Sequence, residues 1–306
     1  MIRTTLNFLA RRNDRGKHAH FFVSPDGSLS SVAFGFVIWI FALSSSPNIN
    51  GRVLGIKKLL QEDVSIITGV PYIYELLVRG KIKSPPRRLK RCFAGGAPLK
   101  ASLSHKWDQL FHSPLRQEYG LGEGGITTLG NSSDPPESIG SPVRHVRLTI
   151  DNPNSTGIGE LIIYRPYAPT RYLFHESPDT FRCDGGISSG DLVYQDGDGR
   201  FYFAGRIKSI INVAGMKVNP IEIESCLLQH SSIDEVVVFG VEDSMMGEKP
   251  IAFVKQKHKG TTEKEYRRFL ACQLSKHKLP KRILFVCDWP MTESGKIDFS
   301  KLKALL

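Results

Sequence analysis

A chain of 306 residues with 41% hydrophobic content carries enough apolar material for a large core and for two domains. Its 41 basic against 30 acidic residues give +11, spread over the whole length. That spread argues against a dedicated nucleic-acid-binding arm and suits a protein that handles anionic nucleotides. Cys92, Cys183, Cys226, Cys272 and Cys287 form no CxxC pair and no metal spacing, so they read as reduced thiols of a cytoplasmic protein.

In chain order, residues 1–20 are basic and irregular, without a cleavable signal pattern. The apolar run over 32–43 is shorter than the ~20 residues of a membrane span and reads as a buried core helix. After a Ser/Pro/Asn loop at 44–50, the pattern predicts helix at 56–60, strand at 64–71, helix at 72–78 and strand at 89–94. Helix over 99–111 and strand over 115–119 follow, then a Pro/Ser/Asp-rich loop over 130–143. This alternation predicts a sheet covered by helices. From Arg144 the pattern changes to hairpins, with strands at 146–150, 160–164, 191–194 and 200–203. Beyond Lys208, a helix opens at Pro220 with Glu222 and Glu224 expected in its first turn. Strands at 236–240 and 250–256, a helix at 263–274 and a strand at 283–287 complete a compact α and β module.

Four clusters carry chemistry. Gly95, Gly96, Ala97 and Pro98 close a strand, and Tyr119-Gly120-Leu121-Gly122-Glu123 closes another. Glycine in such loops lets backbone approach a ligand that a Cβ would hold away. Residues 120–125 spell GxGxxG, but 126–131 make a poor helix, so no helix N-terminus awaits a pyrophosphate and the dinucleotide reading fails. Asp191 after Gly190 can accept from two vicinal hydroxyls, and Arg206 after Gly205 can donate a fork of hydrogen bonds. By themselves these residues suit a charged surface hairpin equally well. Lastly, Gly295-Lys296 is followed by Ile297 where a P-loop needs Ser or Thr, and the upstream glycine is absent.

Taken in order, these motifs resemble those of the acyl-adenylate-forming (AMP-binding) ligase superfamily: acyl-CoA synthetases, luciferases and the adenylation domains of peptide synthetases. The resemblance begins near Ser65. It implies an α/β fold with a large helix-covered sheet domain over 1–205, a β-hairpin subdomain within it at 144–205, and a small α+β C-terminal lid over 208–306. It further implies that Gly95, Gly96, Ala97 and Pro98 line the adenine, with Tyr119 stacking on the purine and Gly120 beside it. Glu123 would be the Mg2+-side carboxylate, Asp191 and Arg206 the grip on the ribose, and Lys208 the hinge. Gly215 would border the thiol channel, and Lys296 would be the catalytic cation between acyl carboxylate and α-phosphate. The implied cofactors are ATP/AMP and Mg2+, with CoA or a carrier's phosphopantetheine as thiol.

The sequence also departs from the family. Gly122 stands where the family has Thr, which removes a hydroxyl from the phosphate side. Asn212 replaces the lysine of luciferase-like members, which argues against an oxidative, light-emitting step. Ser24-Pro25-Asp26-Gly27-Ser28 is the nearest match to the family's phosphate loop but lacks its trailing Lys. Family spacing places that loop before Met1, so the expectation is an N-terminally truncated member whose loop comes from a separate N-terminal half or is improvised. Three functions stay open: an acid–thiol ligase, a degenerate adenylate- or acyl-binding scaffold, and an enzyme of the thioesterification half-reaction only. The expected partners are a small carboxylic acid and either CoA or a carrier protein; Lys276, Lys278, Lys281 and Arg282 suit an acidic carrier or a solvated face equally, and neither nucleic acid nor a membrane span is expected.

Overall fold

The computed structural model describes residues 65–79, 89–166, 168–170, 180–258, 260–292 and 297–306, with three further strands at 20–23, 29–32 and 37–40. The predicted helix at 56–60 and the sequence 24–28 lie outside the described residues. Among the described residues two sheets are present, one of twelve strands and one of five.

The large sheet begins with β1 (His20–Val23), β2 (Leu29–Val32) and β3 (Val37–Ile40). The helix expected over 32–43 is therefore corrected: β2 ends at Val32, and Val37–Ile40 is a strand paired in parallel with β1 and with β4 (Ile66–Gly69). A Val-Ile-Trp-Ile run flanked by strands on both sides is an uninterrupted apolar stretch, which periodicity cannot separate from a buried helix. β4 pairs in parallel with β5 (Arg91–Ala94), and β5 with β6 (Leu115–Leu121). The crossovers contain α1 (Pro71–Arg79) and α2 (Ala101–Phe111). Their apolar residues recur at helical spacing and pack Tyr74, Leu77, Leu103 and Trp107 onto Ile67, Cys92, Ala94 and Leu115 of the sheet. The buried phenol of Tyr74 donates to the carbonyls of Ile67 and Phe93 at 3.1 and 2.8 Å, which stitches α1 to two strands. Burial pushes the Cys92 thiol up to about 12, so it behaves as a small apolar side chain.

After β6 the pairing turns antiparallel through β7 (Gly125–Leu129) and β8 (Ser138–Pro142). The loop expected over 130–143 is thus a strand at its end. Ser-Ile-Gly-Ser-Pro has no strand-like composition, and β8 exists because Gly140 at φ +87 lies against the Leu129 backbone. The hairpin strands β9 (Arg147–Asp151), β10 (Gly159–Tyr164), β11 (Ile187–Gln195) and β12 (Phe201–Arg206) follow, and β12 pairs with β8. The hairpins therefore continue the large sheet.

The second sheet holds β13 (Ile211–Val213), β14 (Met216–Val218), β15 (Ile233–Asp243), β16 (Gly247–Gln256) and β17 (Arg282–Phe285), with α3 (Pro220–Leu228), α4 (Glu263–Ala271) and α5 (Phe299–Lys303). Val238 of β15 faces a core under α3 and α4, while Val237 and Phe239 face a second core with Leu302. Asn219 caps α3 and Pro220 fills its first position. Only Glu222 lies in that first turn; Glu224 sits deeper and accepts from the amide of Val238. α4 opens with a capping box between Thr262 and Glu265, and it ends at Ala271 rather than at 274. Among the described residues no helix is long and apolar enough to cross a membrane.

Candidate nucleotide site

β4, β5 and β6 end side by side, and the crevice outside the carboxyl ends of parallel strands is where α/β sheets bind ligands. The loop of Gly95, Gly96, Ala97 and Pro98 leaves β5 at this edge. Its start is fixed by the Gly95 amide donating to the Gly69 carbonyl at 2.9 Å. Its far end is fixed by the Leu99 amide, which donates to Gln117 Oε1 at 3.1 Å. Gln117 Nε2 in turn donates to the carbonyls of Pro136 and Glu137 at 3.1 and 3.0 Å, so Gln117 clamps the loop to the segment before β8. Gly96 has φ +74, a conformation glycine adopts freely.

Tyr119 of β6 meets Asp191 and Arg206 of the paired strands β11 and β12. Asp191 and Arg206 are register partners on β11 and β12, and Arg206 Nε lies 2.8 Å from Asp191 Oδ1. Tyr119 Oη donates to Asp191 Oδ2 at 2.7 Å across 72 residues of sequence. Asp191 is 4% exposed, whereas the Arg206 side chain is 67% exposed. Burial, and then the Asp191 charge, push the Tyr119 phenol up, so it remains a donor. Its ring packs beside Ile139, Leu161 and Phe201, and this holds the hydroxyl on target. Gly190 has φ +69 and donates its amide to Glu160 Oε1 at 3.0 Å, while the Asp191 amide donates to Ser189 Oγ at 3.0 Å.

Gly120 is required for packing, since a Cβ there would come 2.3 Å from the Gly125 carbonyl oxygen. Gly122 and Glu123 occupy the turn between β6 and β7, closed by the Gly124 amide donating to the Leu121 carbonyl at 3.2 Å and by the Arg165 guanidinium on the Gly124 carbonyl. Nothing lies within 4 Å of a Cβ built on Gly122. Among the described residues Glu123 belongs to no group of three or more metal-ligating side chains. Mg2+ bound between phosphates needs only one or two carboxylates, so the single acid still fits.

Lys208 is exposed in a 3-10 turn over Ile207–Ser209, directly after β12. Nearby, Asn219 joins the two sheets: its Oδ1 accepts from the Ile221 amide at 3.1 Å and its Nδ2 donates to the Ala204 carbonyl at 2.7 Å. Gly205 makes room for it, since a Cβ would lie 3.0 Å from Asn219 Oδ1. Gly215 is at the tip of the β13–β14 hairpin. It has φ +85 beside Ala214 at φ +50, with open space around a Cβ. Its glycine is explained by the primed turn rather than by crowding. Lys296 lies outside the described residues; on either side of it Met291 bridges Ile297, and the Asp298 amide donates to the Pro290 carbonyl at 2.8 Å.

Sequence reasoning missed three groups here. Gln117 is the clamp described above. Glu118 accepts from Thr68 Oγ1 at 2.5 Å beside Gly95. Lys100, next to the glycine loop, reaches Glu235 Oε2 on the second sheet at 2.8 Å, and Trp289 Nε1 donates to the same oxygen at 2.6 Å. The only signal for Glu118 was a charge inside a strand.

Comparison with known proteins decides the family. The sequence model described as AMP-binding enzyme matches residues 29–173, and the one described as AMP-binding enzyme C-terminal domain matches residues 222–296. The chain belongs to the AMP-binding enzyme family. It is 32% identical over 254 residues to luciferin 4-monooxygenase of Photinus pyralis, covering 78% of this chain and 46% of that protein. It is 33% identical over 222 residues to long-chain-fatty-acid–CoA ligase of Bacillus subtilis, covering 68% and 39%. ATP-bound MatB of Rhodopseudomonas palustris superimposes with a TM-score of 0.71 at 26% identity, covering 83% of this chain and 53% of that one. The chain spans about half the length of the curated relatives it matches. AMP-binding enzymes of this acyl-adenylate-forming ligase type bind ATP or AMP and act on carboxylic acids with a CoA or carrier-protein thiol.

Proposed function

We propose that this chain binds an acyl-adenylate between residues 1–205 and a lid of residues 208–306, and serves the activation of a carboxylic acid for transfer to a thiol. The observation that carries this reading is the convergence of Tyr119, Asp191 and Arg206. A carboxylate offers about four lone-pair sites. Arg206 and Tyr119 take one on each oxygen, which leaves a site on each for the two ribose hydroxyls. The exposed part of the Arg206 guanidinium can then donate to the same sugar. Tyr119 and the loop of Gly95, Gly96, Ala97 and Pro98 would border the purine, and Glu123 would hold Mg2+ against the phosphates. Attack of a carboxylate on the α-phosphate brings two anions together. The Lys296 ammonium would lower that barrier by electrostatics, with no general base needed. Rotation of the backbone at Lys208 would then bring Gly215 and the thiol to the adenylate.

Pyrophosphate exchange with ATP and a panel of carboxylic acids tests the full ligase reading. Exchange in the native chain, lowered about a hundredfold or more in Lys296→Ala, supports it. Thioester formation from synthetic acyl-AMP without exchange points instead to the second half-reaction alone. Gly122, which lacks a hydroxyl for the phosphate, favours a second reading in which the adenylate is bound without turnover. Acyl-AMP binding with neither exchange nor thioester would establish that reading.

A further inference from the structure

Lys100 ties the glycine loop to the second sheet, and both members of that tie have another partner close by. Lys100 is the N-cap of α2, directly after Leu99, whose amide Gln117 holds. Its ammonium lies 2.8 Å from Glu235 Oε2 on β15 and 3.8 Å from Glu75 Oε1 on α1. Glu235 accepts from Trp289 Nε1 on the same oxygen, and its other oxygen lies 3.9 Å from the Lys255 ammonium on β16. Trp289 packs against the core of Phe239 and Leu302, which fixes the Glu235 carboxylate facing Lys100. Two of these charges, Lys100 and Glu75, belong to the large-sheet domain, and two, Glu235 and Lys255, to the C-terminal one. Each domain therefore holds a cation and an anion one rotamer change apart, while the bond now made runs between domains. Further pairs, Glu75 with Arg79 at 3.6 Å and Lys255 with Asp288 at 3.0 Å, keep both side groups in place.

We propose that Lys100 and Glu235 form a partner-exchange latch on the C-terminal lid. In the orientation seen here they hold each other. When the lid turns about Lys208, Lys100 passes to Glu75 and Glu235 passes to Lys255. This rests on the reading of residues 208–306 as a lid that turns over a bound adenylate. Because neither charge is left alone in either orientation, the latch restrains the lid without trapping it, and a small free-energy difference divides the two states. Its position gives it a use: Lys100 adjoins the loop of Gly95–Pro98, and Trp289 opens the segment that runs on to Lys296. The latch thus sets the register of that segment against the nucleotide loop. One consequence separates it from an ordinary surface pair. Removing Glu75 or Lys255 takes away a partner needed only in the turned orientation, so each loss should favour the orientation seen here.

The test uses the full chain without ligand and two measurements. Carbodiimide joins a lysine to a carboxylate in contact, and mass spectrometry should find the 100–235 product in the native chain, lowered by about 0.5 M NaCl. Limited proteolysis at 206–210 reads how often the lid turns, since the 3-10 turn over Ile207–Ser209 must open for it to do so. Lys100→Ala should raise cleavage about twofold, whereas Glu75→Gln and Lys255→Gln should each lower it by up to about twofold. This opposite sign is the signature of exchange, because a static pair between Lys100 and Glu235 gives no fall in either variant. Absence of the 100–235 product, or cleavage that fails to fall in Glu75→Gln or in Lys255→Gln, overturns the latch. Calorimetry with AMP and a synthetic acyl-AMP on the native chain tests the reading beneath it: binding of neither removes the adenylate site, whatever the cleavage pattern.

Discussion

Asp191 in the large sheet and Glu224 in the small one are both largely enclosed carboxyls, but their surroundings differ. Asp191 receives a guanidinium on one oxygen and a phenol on the other. Glu224 sits between α3 and β15 with one backbone donor, the Val238 amide at 2.7 Å, and burial pushes it up to about 7. The contrast separates two uses of a buried acid. A carboxyl paired with a cation beside a crevice keeps lone pairs to offer a ligand. One largely buried between helix and strand, with no cation paired to it among the described residues, gives up its charge as the pH falls through neutrality.

The largest effect expected from breaking this contrast is in the C-terminal domain. The folded-state value of Glu224, about 7, lies above its ordinary 4.5, so the folded chain holds that proton longer than the unfolded one. Its contribution to stability is fully present below 4.5 and is lost as the pH rises to about 7, a loss of up to about 3 kcal/mol. Glu224→Gln keeps an acceptor for Val238 and removes that loss. Denaturant unfolding should find the variant more stable than the native chain above pH 7, with the gap closing toward acid. A gap that does not vary with pH would show that Glu224 is not the titrating group.

Next in size is the matching change in the large sheet. Asp191→Ala removes two charge-assisted partners and should weaken AMP binding by about 2 kcal/mol, roughly thirtyfold, in calorimetry. Arg206→Ala should cost less, since the guanidinium is mostly in water. Equal losses would mean that the arginine, and not the aspartate, carries the grip.

Smaller still is the contact between the two sheets. Lys100 is 44% exposed, so its pair with Glu235 contributes about 0.5 kcal/mol at most. Lys100→Ala should raise protease cleavage at 206–210 by about twofold, and an unchanged rate would leave Asn219 as the main tie. The smallest effect belongs to Gly122→Thr. Open space at that Cβ predicts a stability change within about 0.5 kcal/mol, and the added hydroxyl should tighten acyl-adenylate binding a few-fold. A large loss of stability would show that the turn has no room.

Much of the fold was legible before any coordinates. The alternation β4–α1–β5–α2–β6, the hairpins from β9 to β12 and the opening of α3 at Pro220 all follow from spacing and turn residues. The apolar run at 32–43 was misread because a strand flanked on both sides has no polar face to reveal its period. β8 was missed because its pairing depends on a close approach of Gly140 to the Leu129 backbone. In the site, Tyr119, Asp191 and Arg206 were recognisable as separate motifs, whereas Gln117 and Glu118 passed as ordinary strand residues.

The sequence by itself determined which short segments turn, extend or coil, because dihedral preference and side-chain period act within a few residues. It also carried the order of motifs that marks the family. Only the tertiary fold decided which polar groups meet: Tyr119 of β6 with Asp191 of β11 across 72 residues, and Thr68 of β4 with Glu118 of β6 across 50, neither pair on adjacent strands. Such meetings have no local signature, because two side chains far apart in sequence become neighbours only through the course of the chain in three dimensions.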